Sequence, residues 1–172
     1  MWIIIILEVV TFLMALGAFA YFGKENIELF RESKSRLNST IGAVNTFILL
    51  TSGFFAALSS EAYKNSEYSK SSKLLLFAIA GGLFFIFLKS IEYTHKIESG
   101  HTMNTNIFYT FYWLLTVFHL MHIVVGIAIL GVLSFKIKKV KAEGEDVEAG
   151  IAFWHLCDLI WLMLFPSLYL IF

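Results

Sequence analysis

His119 and His122 stand three residues apart in FYWLLTVFHLMHIVVGIAIL, residues 111–130, an otherwise apolar stretch. Ionisable groups inside such a stretch are costly in lipid, face protein, and mark sites of function or of specific packing. The spacing puts both imidazoles on one helix face, with Thr116 one turn before and Gly126 one turn after. His155 and Asp158 repeat the spacing in AFWHLCDLIWLMLFPSLYL. There the carboxylate could accept a ring N–H and orient a histidine. Lys89, Glu92 and His95 form a third set, in which Lys89 and Glu92 are spaced to pair. Glu8 is a lone carboxyl about seven residues into the first apolar run. Out of water it needs a hydrogen bond or a proton.

Metal ligation is one chemistry for these histidines, as haem axial ligands or in a di-iron centre. Di-iron sites on helices use several carboxylates and Glu-x-x-His on paired helices, whereas here Glu92–His95 is a single instance. The His-Glu-x-x-His pattern of zinc proteases does not occur. Bis-histidine haem needs ligands at matching depths, and His119 lies mid-run while His155 lies near the start of its run. The structural alternative is that these polar side chains pair with one another and fix a helix bundle. For Glu8 two readings stand side by side. One is a proton-relay group, a reactive carboxyl or a lipid-headgroup contact; the other is an interhelical hydrogen bond or nearness to the interface. Proton-coupled transport through Glu8 and Asp158 would go with an inverted repeat, and the sequence shows no repeat. Cys157, the only cysteine, sits in an apolar run, where it reads as a small buried thiol.

The elements that must carry these residues are membrane helices. Of 172 residues, 58% are hydrophobic and 17% aromatic, with a mean hydropathy of +0.75. A span takes about 20 apolar residues. Five runs meet that length, at about residues 2–22, 40–62, 73–94, 107–135 and 150–172. They predict an all-α integral membrane protein, a bundle of five transmembrane helices, as a single transmembrane domain over residues 1–172. Asn38, Ser39 and Thr40 offer cap chemistry for the second helix. The intervening GKENIELFRESKSRLN, YKNSEYSKSS, HKIESGHTMNTN and KIKKVKAEGEDVEAG read as loops. The Ala18-Phe19-Ala20 triplet has the look of a signal-peptidase site, but no basic residue precedes Lys24 and the run is too long for a signal core, which predicts an uncleaved span.

Lysines and arginines are Lys24, Arg31, Lys34, Arg36, Lys89 and Lys96 around the first and third loops. Lys64, Lys70, Lys73, Lys136, Lys138, Lys139 and Lys141 lie around the second and fourth. The excess favours the second and fourth as cytoplasmic, giving N-in and C-out. With 13 basic and 13 acidic residues and no basic stripe, nucleic acid is not an expected partner.

The polar residues also fall into motifs. Thr116, Phe118, His119, His122 and Gly126 resemble the Phe-His-x-x-His-x-x-x-Gly helix of subunit III of the haem–copper oxidases, the cytochrome c oxidase subunit III family. Trp154, His155, Asp158, Trp161 and Leu164 resemble its Trp-His-x-x-Asp-x-x-Trp-x-x-Leu helix. Asn38, Thr40, Ser52 and Gly53 are similar to its Leu-Asn-Thr…Ser-Gly helix, and Glu92 and Tyr93 to its Glu-Tyr-ending helix. Where the family often has a glutamine before that end, this chain has Lys89. Glu8 sits at the place of the family's buried carbodiimide-reactive glutamate. The resemblance runs along nearly the whole chain in the family's order. Longer members have seven spans; this chain looks like the five-helix members, found in bacterial quinol oxidases, some bacterial cytochrome oxidases and proteins associated with nitric oxide reductase.

The resemblance implies a non-catalytic subunit with no metal site and no cofactor of its own, the haem and copper lying in partner subunits. It implies packing against the catalytic haem–copper subunit I and against subunit II, held phospholipids, and support of proton uptake and turnover in aerobic respiratory electron transport. The location implied is a bacterial-type cytoplasmic (inner) membrane. Glu8 is then a proton-related or lipid-facing carboxyl, and Glu92, His119, His122, His155, Asp158 and Trp161 form a structural polar network. In it the two histidines of the fourth span would be polar pins with Asp158 and Glu92 as partners, each bond worth roughly 0.6–2 kcal/mol. Two further readings are a subunit III-like protein associated with nitric oxide reductase, and a stand-alone membrane haem or iron protein using His119, His122 and His155.

Overall fold

Backbone amides in hydrocarbon have no water to bond, so apolar runs of this length close their hydrogen bonds within helices. The structure is a computed structural model that describes residues 2–172, with all side chains in that range save those of Trp2 and Ile4. Six helices run through the described residues: α1 (Trp2–Glu25), α2 (Ile27–Ser35), α3 (Ser39–Lys64), α4 (Tyr68–Glu98), α5 (Ile107–Lys138) and α6 (Gly144–Tyr169). All but α2 are long and apolar enough to cross a membrane, so the protein is an all-α membrane bundle of five spanning helices. The helices outrun the apolar stretches that announce them, because polar end turns are helical too.

Local chemistry sets the helix ends. Asn38 Oδ1 accepts from the amides of Thr40 at 3.0 Å and Ile41 at 3.2 Å, capping α3. Asn106 Oδ1 accepts from the Tyr109 amide at 3.0 Å, capping α5. At the end of α4, Gly100 takes φ +74°, a left-handed turn that favours glycine, while the His101 amide bonds back to the Lys96 carbonyl at 2.9 Å.

The first connection is not the loop expected. Within it, α2 buries Phe30 and Ser33, three residues apart, and exposes Glu28, Arg31 and Glu32. Its charge count hid a short helix whose buried side is one aromatic ring and one serine hydroxyl. Phe30 enters an aromatic cluster with Phe19, Phe108 and Phe172 at centroid distances of 5.1–5.4 Å. Asn106 Nδ2 donates to Ser33 Oγ at 3.0 Å, tying α2 to the start of α5.

Helices α3, α4, α5 and α6 close into a four-helix bundle, and α1 lies outside it against α5 and α6. Small residues bring the backbones close. Ser59 and Ser71 join α3 to α4 through their hydroxyls at 2.9 Å, and Ser72 and Ser134 join α4 to α5 the same way at 2.9 Å. In the middle layer the fully buried Trp154 of α6 lies between Gly82 of α4 and Gly126 of α5. A Cβ on Gly82 would come within 2.6 Å of the indole, and one on Gly126 within 2.7 Å. The indole N–H donates to Ser52 Oγ at 3.1 Å, and Ser52 in turn donates to the Ala78 carbonyl at 2.7 Å. One side chain thus ties all four helices at one depth.

Candidate functional site

The polar side chains inside the spans gather in three places. The first lies between α1 and α5. Glu8 Oε2 stands 3.1 Å from His122 Nε2, with both side chains largely buried. His122 Nδ1 is 2.8 Å from the Phe118 carbonyl oxygen. That oxygen can only accept, so Nδ1 carries the ring hydrogen. Glu8 and His122 thus stand within ion-pair distance, in a contact without hydrogen-bond alignment. Phe12 and Phe118 wall the pair, at 5.6 and 4.7 Å from the imidazole centroid.

The second lies at the far end of α4, inside the bundle. Lys89 is 1% exposed and Glu92 4%, and they pair at 3.0 Å. Tyr169 OH, from the last turn of α6, is 2.7 Å from Lys89 Nζ and donates to Glu92 Oε1 at 2.5 Å. Tyr112 OH, from α5, donates to the same oxygen at 2.7 Å. The ammonium also lies 5.1–5.3 Å from the ring centroids of Tyr93, Tyr112, Trp161 and Tyr169. A buried charge pair is tolerable only when its remaining hydrogen-bonding positions are filled, and here two tyrosines and a cage of rings fill them. His95, the third member of the sequence set, points away: it is exposed and 3.9 Å from Glu98.

The third lies between α3 and α6. His155 Nδ1 is 3.3 Å from Asp158 Oδ2, and the Asp158 carboxylate packs so close to Gly53 that a Cβ there would collide with it. Trp161 donates its indole N–H to Thr46 Oγ1 at 2.9 Å, a second tie between the same helices.

The histidines of α5 do not meet the partners anticipated for them. His122 turns to Glu8 on α1, and His119 has no hydrogen-bond partner on either nitrogen among the described residues. His119 instead stacks on Trp161 at 5.3 Å and meets the edge of Phe85 at 5.8 Å. Geometry explains both. Glu92 is level with Tyr112, seven residues along α5 from His119, which is about 10 Å of helix rise. Asp158 is near the depth of His122, since Cys157 Sγ lies 3.7 Å from the His122 carbonyl, but its side chain faces α3. Tyr112 and Tyr169 are absent from the sequence reading. Their only signal was a phenol inside an apolar run, which usually needs a partner when buried. Among the described residues no group of three or more His, Cys, Asp or Glu side chains is placed to hold a metal ion.

Comparison with known proteins places these motifs. The family described as cytochrome c oxidase subunit III matches residues 36–171. The chain is 30% identical to cytochrome c oxidase subunit 3 of Artemia franciscana over 78% of its own length and 52% of that protein's. It is 31% identical to the protein of that name in Anopheles quadrimaculatus, over 75% of this chain and 49% of the relative. With the Synechocystis sp. protein of the same name it shares 28% identity over 81% of this chain and 60% of the relative. The chain thus spans about half the length of the first two of these relatives.

Proposed function

Because this chain belongs to the cytochrome c oxidase subunit III family, we propose that it is the non-catalytic subunit III of a haem–copper terminal oxidase. In this reading it packs against the catalytic subunit I and against subunit II, in a bacterial-type cytoplasmic membrane. Haem and copper belong to those partners, and this chain contributes no catalytic residue. Its work is to hold lipid and to sustain proton uptake and turnover during aerobic respiration. The observation that carries the reading is the family match over residues 36–171.

The geometry supports particular roles. Glu8 lies on the outermost helix, at the edge of the bundle, 3.1 Å from His122. That is a suitable place for a carboxyl that exchanges protons near a partner's surface. Glu92, His119, Asp158 and Trp161 lie inward, with His155 exposed beside Asp158, and they serve packing through the ion pair, the ring stack and the α3–α6 ties. An apolar groove of about 500 Å³ between α1 and α5, lined by Phe12, Trp113, Phe118 and Met121 among others, suits an acyl chain. Orientation follows from the lysines. Lys89 lies inside the bundle and leaves the charge tally, so five basic residues at the α2 end stand against seven at the other. The excess favours N-in and C-out.

Gentle purification through a tag on this chain, with a visible spectrum and peptide mass spectrometry of what accompanies it, tests the reading. A haem-bearing partner should co-purify, and the chain separated from it should be colourless. A chain that comes alone with a Soret band or bound iron would overturn the proposal.

A further inference from the structure

At the lysine-rich end of the bundle, α4 and α5 part to leave a groove of about 590 Å³. Each helix lines it with a stripe at i, i+4, i+7: Ser69, Lys73 and Leu76 from α4, and Gly131, Phe135 and Lys138 from α5. Because the helices are antiparallel, the two stripes run in opposite directions across the groove. The Ser72–Ser134 bond sets the register, so Lys138 stands at the mouth, where α5 ends, Lys73 lies a turn or so deeper, just past the level of Phe135, and Leu76 and Gly131 lie deeper still. Seven residues of α5 put about 10 Å between Lys138 and Gly131. The groove therefore grades from cationic to apolar along the membrane normal.

Three further observations point to an occupant. Neither Lys73 nor Lys138 is ion-paired among the described residues, whereas their neighbours Lys64, Lys70 and Lys136 bind Glu148, Glu67 and Asp146 at 3.0, 2.7 and 2.9 Å. No carboxylate lines the groove, in contrast to the cavity at the opposite end of the bundle, where Glu28 and Glu32 accompany Arg31 and Arg36. A Cβ added to Gly131 would meet nothing within 4 Å, so the inner wall has open room beside it. Within the groove, at the level of Lys73, the hydroxyls of Ser72 and Ser134 bond to each other and hold the helices at a set separation.

We propose that this groove binds one anionic phospholipid, its phosphate between Lys73 and Lys138 and an acyl chain running past Phe135, Leu76 and Gly131. A basic pocket between membrane helices recognises such a headgroup by charge, and the absence of lining carboxylates gives the cationic moiety of a zwitterionic lipid nothing to pair with. The proposal rests on the reading of the chain as a lipid-holding membrane subunit, and adds the lipid class and the residues that select it.

The test uses the full chain, purified with its partners into nanodiscs of equal phosphatidylglycerol and phosphatidylcholine, with retained lipids counted by native mass spectrometry. Phosphatidylglycerol should be retained in preference. Lys73→Gln or Lys138→Gln should lower its retention about 5-fold each, and both together about 30-fold. Gly131→Leu, which fills the open room without changing charge, should lower it too. The double variant Lys64→Gln, Lys70→Gln removes the same charge from paired lysines at the same end and should change nothing. Equal loss in that control, equal retention of phosphatidylcholine, or displacement by inorganic phosphate alone would overturn the site. Phosphatidylglycerol retained independently of Lys73 and Lys138 would overturn this groove and leave the lipid-holding reading standing; no retained lipid of either class would overturn both.

Discussion

His122 Nε2 lies 3.1 Å from Glu8 Oε2, and this contact is the ion-pair tie between α1 and the four-helix bundle among the described residues. The rest of α1 is held by phenylalanines, chiefly Phe12 against Phe118 and Phe19 within the cluster around Phe30. An outer helix with one charged tie is the element most readily loosened by a single substitution.

His122→Leu removes the partner of Glu8 and should weaken α1 docking by about 1–3 kcal/mol, the usual cost of leaving a buried polar group unpaired. Hydrogen exchange should rise in α1 before it rises in α4. Glu8→Gln keeps the shape but cannot release a proton, so proton uptake and turnover lifetime of the intact complex should fall. Unchanged turnover in Glu8→Gln would remove the functional role proposed for this carboxyl.

Lys89→Met should be far more damaging than its conservative volume suggests. It leaves the Glu92 carboxylate buried with two phenols and no cation, a loss of about 3–5 kcal/mol. The double variant Lys89→Met, Glu92→Leu removes both charges and should recover most of that stability, leaving Tyr112 and Tyr169 to bond each other. Thermal unfolding in detergent measures both. A double variant no more stable than the single one would show that the ion pair is not what holds α4 to α5 and α6.

Gly82→Ala and Gly126→Ala each place a methyl where Trp154 already lies, within 2.6 and 2.7 Å. The indole is fully buried and cannot retreat, so each substitution should cost about 1–3 kcal/mol. Trp154→Phe in the Gly126→Ala background should restore part of the loss, because the smaller ring vacates the space. Melting temperatures in one detergent settle the comparison, and a harmless Gly126→Ala would contradict the close packing.

His101, in the loop between α4 and α5, offers a pH prediction. Burial, and then the charges of Lys96 and Arg36, hold its imidazole below the ordinary value of about 6.5. The folded chain therefore binds fewer protons here than the unfolded chain between those two values. The contribution of neutral His101 to stability is complete above pH ~6.5 and is lost as the pH falls towards the folded value. Arg36 Nη1 lies 3.5 Å from His101 Nε2, so Arg36→Gln should raise the midpoint of a histidine titration followed by NMR. A wild-type midpoint at or above that of free histidine would contradict the assignment.

Much of this architecture was legible in the residues. Apolar runs of twenty or more admit only helices in a membrane, so element type and number of spans follow from length alone. Asn38 capped α3 where its position announced, and Lys89 and Glu92 paired because i, i+3 neighbours share a face. The charged first connection misled because nine residues that bury one phenylalanine and one serine carry too little apolar periodicity to stand out.

What the sequence by itself determined was therefore everything set within one helix: its extent, its caps, its own faces and its neighbouring pairs. Tertiary structure alone decided what met across helices. His119 and His122 differ by three residues, yet one faces Trp161 in the bundle interior and the other Glu8 on α1. Tyr112 and Tyr169 are 57 residues apart and meet on one carboxylate oxygen. Depth and rotation of each helix against its neighbours select these partners. Those two variables come from packing many side chains at once, with Trp154 between Gly82 and Gly126 as the central wedge, and a helix read alone carries neither.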